Sequence, residues 1–259
     1  MAVVGLVVAV AVTASWMAPA DPLKIAISNR TKAPSSDHFF GTDQFGRDIL
    51  SRIMHGARVS LQVGILSVFL GALVGIFLGS LGGYFGGWLD VAIVLVMDTI
   101  ISFPALLLAI GLMAVMGPGL GNIIVALAFI SIPTYGRVVR GVVLSIREKE
   151  YIEAARTSGS SHIKIILLHV LPNAMAPVIV LTTIGVANAI LIEAALSFLG
   201  LGVPPPAPSW GSILADGRNF LTQAPWITIF PGLAISVTVL GFNTLGDGLR
   251  DILDPRLKR

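Results

Sequence analysis

The sequence predicts an all-α integral membrane protein of about six transmembrane helices, and three observations predict it. Apolar residues make up 55% of the 259 and charged residues only 12%, with a mean hydropathy of +0.89. A soluble domain carries about 25% charged residues, so this chain has too little polar surface to cover a water-soluble globule. Six apolar stretches approach the ~20 residues that a helix needs to cross the hydrocarbon core; they cover residues 2–18, 61–81, 91–116, 122–143, 174–199 and 226–245. Only one long polar interruption, residues 147–173, separates consecutive hydrophobic helices in the second half of the chain. The net charge of +3 does not point to nucleic acid, because the basic residues are not interleaved with aromatics. Basic ends on apolar helices suit membrane topology instead. The chain has no cysteine, so thiolate chemistry and cysteine metal sites are excluded.

The first stretch ends in Ala18-Pro19-Ala20, which loosely matches a signal-peptide cleavage site. No Lys or Arg precedes the run, as a signal peptide's leading segment requires. A retained membrane anchor is therefore expected, with a basic leader expected ahead of the start. This helix and the loop after it make up residues 1–60, and residues 61–259 form a five-helix core. Within the loop, residues 43–58 can form an amphipathic helix with Ile49, Leu50, Ile53 and Met54 on one side, expected to rest on the membrane surface or, failing that, on a partner protein.

The second membrane helix carries Gly71, Gly75, Gly79, Gly83 and Gly87, one every four residues. That spacing makes a smooth groove for close helix packing, or a surface along which helices slide. Pro104 and Pro133 fall inside the third and fourth stretches, where proline frees a carbonyl and permits a kink. Such kinks shape a cavity between subunits or simply accommodate packing. Asp98 lies seven positions after Val91, about 10 Å into the third span. Ionisable groups there are costly enough to need a reason. Arg137 and Arg140 end the fourth helix near the same face, so Asp98 is expected to pair with one of them, as a gate or as a static ion pair.

Residues 147–173 read as two short helices. The first, about residues 148–157, stops at Ser158-Gly159, where glycine permits a left-handed backbone. Ser160 or Ser161 caps the second. On it Ile163, Ile166, Leu167 and Val170 share one face, Pro172 ends it, and Asn173 caps the fifth membrane helix. A helix–glycine–helix between two spans is what a docking platform for another protein needs. His162 and His169 lie two turns apart, about 10 Å, too far to hold one metal ion. Glu193, twenty positions after Asn173, comes near the opposite face, as a contact for a solute or another protein or as a hydrogen-bonded packing residue.

An even number of spans puts both termini on one side. Ten Lys and Arg then share that side against seven on the other, which leaves orientation open on charge alone. No lysine follows a glycine in a phosphate-loop pattern, and no nucleophile–base, paired-carboxylate or metal-ligand constellation stands at workable spacing. The chain is not expected to be an enzyme. If it moves a solute, the energy comes from another polypeptide or from an ion gradient.

The polar segment carries Glu153-Ala154-Ala155, three residues, Gly159, and then Leu171-Pro172, with His169 two residues before Leu171. This resembles the cytoplasmic signature of importer permeases of the ATP-binding-cassette class, whose pattern has isoleucine where His169 stands. Further segments resemble the dipeptide, oligopeptide and nickel branch of that family. They are Gly41-Thr42-Asp43-Gln44-Phe45-Gly46-Arg47-Asp48, the run Glu193 to Gly202, Pro204-Pro205-Pro206 with Pro208-Ser209-Trp210-Gly211, and Gly248-Leu249-Arg250-Asp251 through Leu253-Asp254-Pro255-Arg256. The likeness spans residues 37–257.

It implies a type I importer permease fold in the cytoplasmic membrane, with both termini and the 147–173 segment in the cytoplasm. It also implies partners: a second related permease, two ATPase subunits that hold ATP and Mg, and an extracellular solute-binding protein. The implied coupling residues are Glu153, Ala154, Ala155, Gly159, His169, Leu171 and Pro172. Di- or oligopeptides are the expected cargo, with nickel or glutathione-like solutes behind them. The competing reading is an ion-gradient-driven secondary transporter, which usually shows internal repeats and charged residues at mid-membrane. No internal repeat is apparent, and Asp98 and Glu193 lie towards opposite faces.

Overall fold

A computed structural model of the chain describes residues 1–253, which are helix, turn and loop apart from one isolated bridge pair, Thr42 with Asp48. The Asp254-Pro255-Arg256 end of the last motif, with Lys258 and Arg259, lies outside the described residues.

α1 (Ala2–Met17) is a 16-residue apolar helix, about 24 Å long. It lies against the helices over Ile49–Phe85 and Trp226–Leu253. Its C-terminal carbonyls, Ala11 O and Val12 O, accept hydrogen bonds from the Arg58 guanidinium, a favourable place for a cation.

α2 (Ile49–Phe85) is a single 37-residue helix, about 55 Å long and so longer than the ~30 Å hydrocarbon core. The amphipathic helix expected over residues 43–58 is therefore corrected. Only residues from Ile49 are helical; they continue straight into the membrane span, and the 60/61 division falls inside one helix. Asp48 starts it, its carboxylate accepting from Ser51 N at 2.8 Å and Ser51 Oγ at 2.7 Å. Ile49, Arg52, Ile53, Met54 and Ala57 are buried against protein rather than laid on a membrane surface.

α3 (Gly87–Ile101) and α4 (Ala105–Met116) replace the third expected span, and they are bent by 90° across Ser102–Pro104. Pro104 has no N–H to continue the ladder, and its ring pushes Phe103 out of the helical region. A break replaces the expected kink. In α5 (Leu120–Ile146) Pro133 stays inside the helix.

α6 (Glu150–Thr157) and α7 (His162–Ile165) form the polar interruption. α8 (Leu171–Phe198), the short α9 (Trp210–Gly217) and α10 (Trp226–Leu253) complete the chain. Among the described residues, four helices can cross a membrane by length and hydropathy, counting α7 and α8 as one, and the bent α3–α4 pair makes a fifth. The expected six is reached only if the short α1 is added.

The centre of the bundle is the α2–α5 contact. A Cβ on Gly71, Gly75 or Gly79 would lie 2.7, 2.6 and 2.3 Å from the carbonyl oxygens of Ala128, Ile132 and Gly136, and one on Gly83 would lie 2.9 Å from Val143 Cβ. Four of the five periodic glycines thus let two backbones touch. Gly87, the fifth, has open space around it and lies outside the groove. α8 packs beside α2 and α5, and α10 closes against α8, with Gly246 against Thr183.

Candidate functional site

The polar segment folds at the end of the bundle where α2 and α5 finish and α8 begins. α6 ends in a paired-bond stop: Gly159 N donates to Arg156 O and Ser160 N to Ala155 O, both at 3.0 Å. The turn needs a left-handed residue at Gly159, whose φ is +79°. Ser161 then caps α7, accepting from Lys164 N.

Two expectations for this segment are corrected. Pro172 does not end the second short helix, and Asn173 does not cap a new one. α7 runs into α8 through one widened turn over Ile166–Val170, closed by a bond from Leu171 N to Ile166 O, five residues back. Proline clashes with the carbonyl four residues before it, here Leu168, and a wider turn relieves that clash without breaking the helix. Asn173 Nδ2 donates to the His169 carbonyl at 2.6 Å. The extra residue also shifts the apolar face. The buried set is Ile165, Val170, Ala174 and Val178, five residues and then four apart, whereas Ile163 and Leu167 face outward.

Glu153 and Ala154 are exposed, Ala155 is half-buried against the core, and Ile152 beneath them is fully buried. His169 is half-buried, with its ring 6.3 Å from that of Tyr151. Leu171 is half-buried and Pro172 exposed. Tyr151, Ile163, Leu167 and Leu168 stand exposed beside Glu153, at 44, 71, 54 and 59%. This apolar surface is uncovered in the single chain.

The platform is tied to α2 through Tyr84, which motif reasoning missed. Its ring is 5% exposed. The hydroxyl shares a 3.0 Å hydrogen bond with His162 Nδ1 of α7, and the Arg156 guanidinium of α6 sits 5.2 Å from the ring centroid. Arg147, after α5, donates to Gly83 O. A lone Tyr at a helix end has no signal in one sequence; only the fold brings His162 and Arg156 to it.

The two expected arginines part company. Arg137 Nη2 lies 2.6 Å from Asp98 Oδ1, with both side chains about half exposed. Arg140 instead makes two bonds, at 2.5 and 2.7 Å, to the carboxylate of Asp90. Asp98 thus joins α3 to α5 through Arg137 alone.

At the opposite end the Gly41–Asp48 motif is a clasp. Fully buried Asp43 accepts from Phe45 N, Arg47 N and Arg47 Nε, at 2.8, 3.0 and 2.6 Å, and is paired with Arg52. Asp216 of α9 completes the quartet, 3.3 Å from Arg47 and 3.2 Å from Arg52. Gly41 cannot be replaced without a clash, because a Cβ would lie 2.7 Å from Lys32 O, and its φ is +74°. For Glu193 the structure agrees with the packing alternative and not with the outer-face contact: it is 0% exposed. Ser197 Oγ donates to it at 2.8 Å and Ser60 Oγ at 3.3 Å, while Ser60 Oγ also accepts from Trp210 N at 3.3 Å. It packs α8, α2 and α9 together.

Comparison with known proteins fits this arrangement. Residues 71–259 match the family model described as "Binding-protein-dependent transport system inner membrane component". The dipeptide transport system permease protein DppC of Alkalihalophilus pseudofirmus is 46% identical over 263 residues, covering 100% of this chain and 86% of the relative. The glutathione transport system permease protein GsiD of Escherichia coli is 46% identical over 254 residues, covering 98% and 84%. Among solved structures, the inward-facing MetNI methionine ABC transporter aligns with TM-score 0.65 at 20% identity, over 80% of this chain and 98% of the other. An amino acid ABC transporter aligns with TM-score 0.59 at 18% identity, over 78% and 94%. The chain belongs to the binding-protein-dependent transport system inner membrane component family: it is a multi-pass permease subunit of an inner membrane importer. Membership in that family sets the secondary-transporter alternative aside.

Proposed function

We propose that this chain is one of two related permease subunits of an ATP-driven importer of peptide-like solutes, with both termini and the 147–173 platform in the cytoplasm. The observation that carries the reading is the platform itself. The Glu153-Ala154-Ala155, Gly159 and Leu171-Pro172 signature lies in a helix–turn–helix that exposes Glu153, Arg156 and Lys164 together with Tyr151, Ile163 and Leu167, all uncovered in the single chain. One of the two ATPase subunits, which hold the ATP and Mg, occupies that face, with Glu153 toward it. The 46%-identical relatives named for dipeptide and glutathione transport support a short-peptide cargo, delivered by a solute-binding protein at the clasp end.

Closure of the ATPases pushes the platform, and the push reaches α2 through Tyr84 and α8 through the widened turn. The ATP-bound state must favour one of the two permease conformations for any work to be done. The Asp98–Arg137 pair is the gate between α3 and α5 at the platform end.

The test is ATP-dependent peptide uptake in proteoliposomes holding the whole complex, wild type against Glu153→Lys. Uptake is expected to fall at least tenfold (about 1.4 kcal/mol of coupling) while the permease still inserts. Unchanged uptake would remove Glu153 from the coupling contact. Uptake that needs a proton gradient and no ATP would overturn the reading as a whole.

A further inference from the structure

We propose that Thr134 of α5 and Asn188 of α8 form a wall of the aqueous translocation pathway and hydrogen-bond the backbone amides of the passing peptide. The peptide part rests on the importer reading above; the aqueous part rests on geometry alone. Both residues sit deep in the bundle. Thr134 is one residue from the midpoint of Leu120–Ile146 and Asn188 three to four residues from that of Leu171–Phe198, about 2 and 5 Å along the axes. Both are nonetheless exposed in the single chain. Their neighbours satisfy themselves within the helix, Ser131 Oγ donating to Ala128 O and Thr182 Oγ1 to Val178 O. Thr134 and Asn188 side chains make no such bond among the described residues. A primary amide facing lipid at mid-membrane has no partner for its two donors or its acceptor, and each unmet group costs several kcal/mol. The face therefore meets something polar.

Two further observations favour a pathway over a static helix contact. Thr134 and Asn188 line one crevice of about 190 Å³ between α2, α5 and α8, closed at one side by Ala105, the first residue after the 90° break. A tight helix contact leaves no such space. The polar character also continues along α5: one turn beyond Thr134 stands Arg137, half exposed and paired with Asp98, and a half-exposed ion pair faces water rather than hydrocarbon.

The crevice chemistry selects a substrate class. Besides the Tyr135 phenol its polar groups are the hydroxyls of Ser67, Ser131 and Thr134 and the amide of Asn188, with no charged side chain. Such a wall pairs with N–H and C=O groups of an extended peptide and is indifferent to the charge of its side chains. Asn188, donor and acceptor at once, reads a peptide unit in either sense.

The natural absence of cysteine makes the test direct. Thr134→Cys and Asn188→Cys are placed in the complete reconstituted complex, with Leu240→Cys, 65% exposed on α10, as the lipid-facing control. Each is treated with a charged, membrane-impermeant thiol reagent on both sides. The first two are expected to react, and the control is not. Excess alanyl-alanine or glutathione, whichever the wild-type complex imports, is expected to slow labelling severalfold. Asn188→Leu is expected to raise the half-saturating peptide concentration about five- to tenfold, as loss of one or two neutral hydrogen bonds does. Absence of labelling at both positions overturns the proposal, since the face is then covered by lipid or by a partner helix. Labelling that an imported peptide does not slow overturns the amide-binding role. A wild-type complex that imports neither peptide with ATP sinks the importer reading and the peptide recognition with it. Labelling still decides in that case whether the face is aqueous.

Discussion

At Tyr84 the last turn of α2 meets both helices of the platform, through a hydrogen bond to His162 and a cation–π contact from Arg156. Each contact is modest: about 1 kcal/mol for a neutral hydrogen bond and about 0.5–1 kcal/mol for an exposed cation over a ring. Their value lies in direction, since they join two platform helices to one membrane helix at a single buried ring. Tyr84→Phe keeps the ring for Arg156 and loses the hydroxyl, so peptide moved per ATP hydrolysed is expected to stay within about twofold of wild type. Tyr84→Ala removes both contacts and leaves a cavity under the platform. Its complex is expected to hydrolyse ATP while moving severalfold less peptide, with the ATPase subunits still bound. Measuring hydrolysis and uptake on the same proteoliposomes decides the matter, and an unchanged ratio in Tyr84→Ala would show that force travels elsewhere. Asp98 is a simpler case, because its reach to Arg137 follows from helix depth alone. Which of the two arginines it meets does not, because Asp90, one helical turn from the start of α3, competes for Arg140 and only the packing of α3 on α5 decides between them.

The contact between α2 and α5 sets how closely the two helices run, and it makes a contrast between two glycines predictable. Gly79→Ala would put a methyl group 2.3 Å from a backbone oxygen that no rotamer change can move, an overpacking that costs about 1–3 kcal/mol. Gly141→Ala, also in a helix but with nothing within 4 Å, gains up to about 1 kcal/mol of helix propensity. The unfolding midpoint of the purified complex in detergent is expected to fall for the first and to hold or rise for the second. Equal midpoints would mean that the helices slide apart freely at Gly79. This groove was legible in advance because a four-residue glycine repeat has one physical use on a helix. The broken third span and the fused α7–α8 were not. Proline restricts its surroundings in both places, but whether the helix breaks or widens depends on how the neighbouring residues pack. After Pro104 the chain turns by 90° into a separate helix, whereas around Pro172 buried Ile165 and Val170 hold the helix on course. Nor was the start of α2 legible, since apolar residues 49–54 suit a membrane surface as well as a protein interior.

On the scale of the whole molecule, the clasp and the Asp98–Arg137 pair differ sharply in burial. At the clasp, Asp43 is fully buried and Arg52 is 3% exposed. Removing the carboxylate leaves two guanidinium groups to share the single, less buried Asp216, and breaking a buried pair costs about 3–5 kcal/mol. Asp98 and Arg137 are half exposed in the single chain, and on an aqueous face, as proposed above, such a pair contributes about 0–1 kcal/mol. A pair that adds so little to stability yet ties α3 to α5 beside the proposed pathway fits a contact made to be broken in each cycle. The two sites should therefore fail differently. Asp43→Ala is expected to lower the unfolding midpoint of the complex by several degrees, because the clasp that joins the 41–52 segment to α9 has lost its centre. Asp98→Arg is expected to lower the midpoint by no more than about 4 °C and to reduce uptake strongly, since two cations then face each other. Adding Arg137→Asp to it restores the opposite charges, in reverse order, and is expected to recover most of the uptake. A double variant no better than Asp98→Arg alone would mean that the pair does not act through its mutual attraction, and the gate would have to be sought in the Asp90–Arg140 bond one turn away.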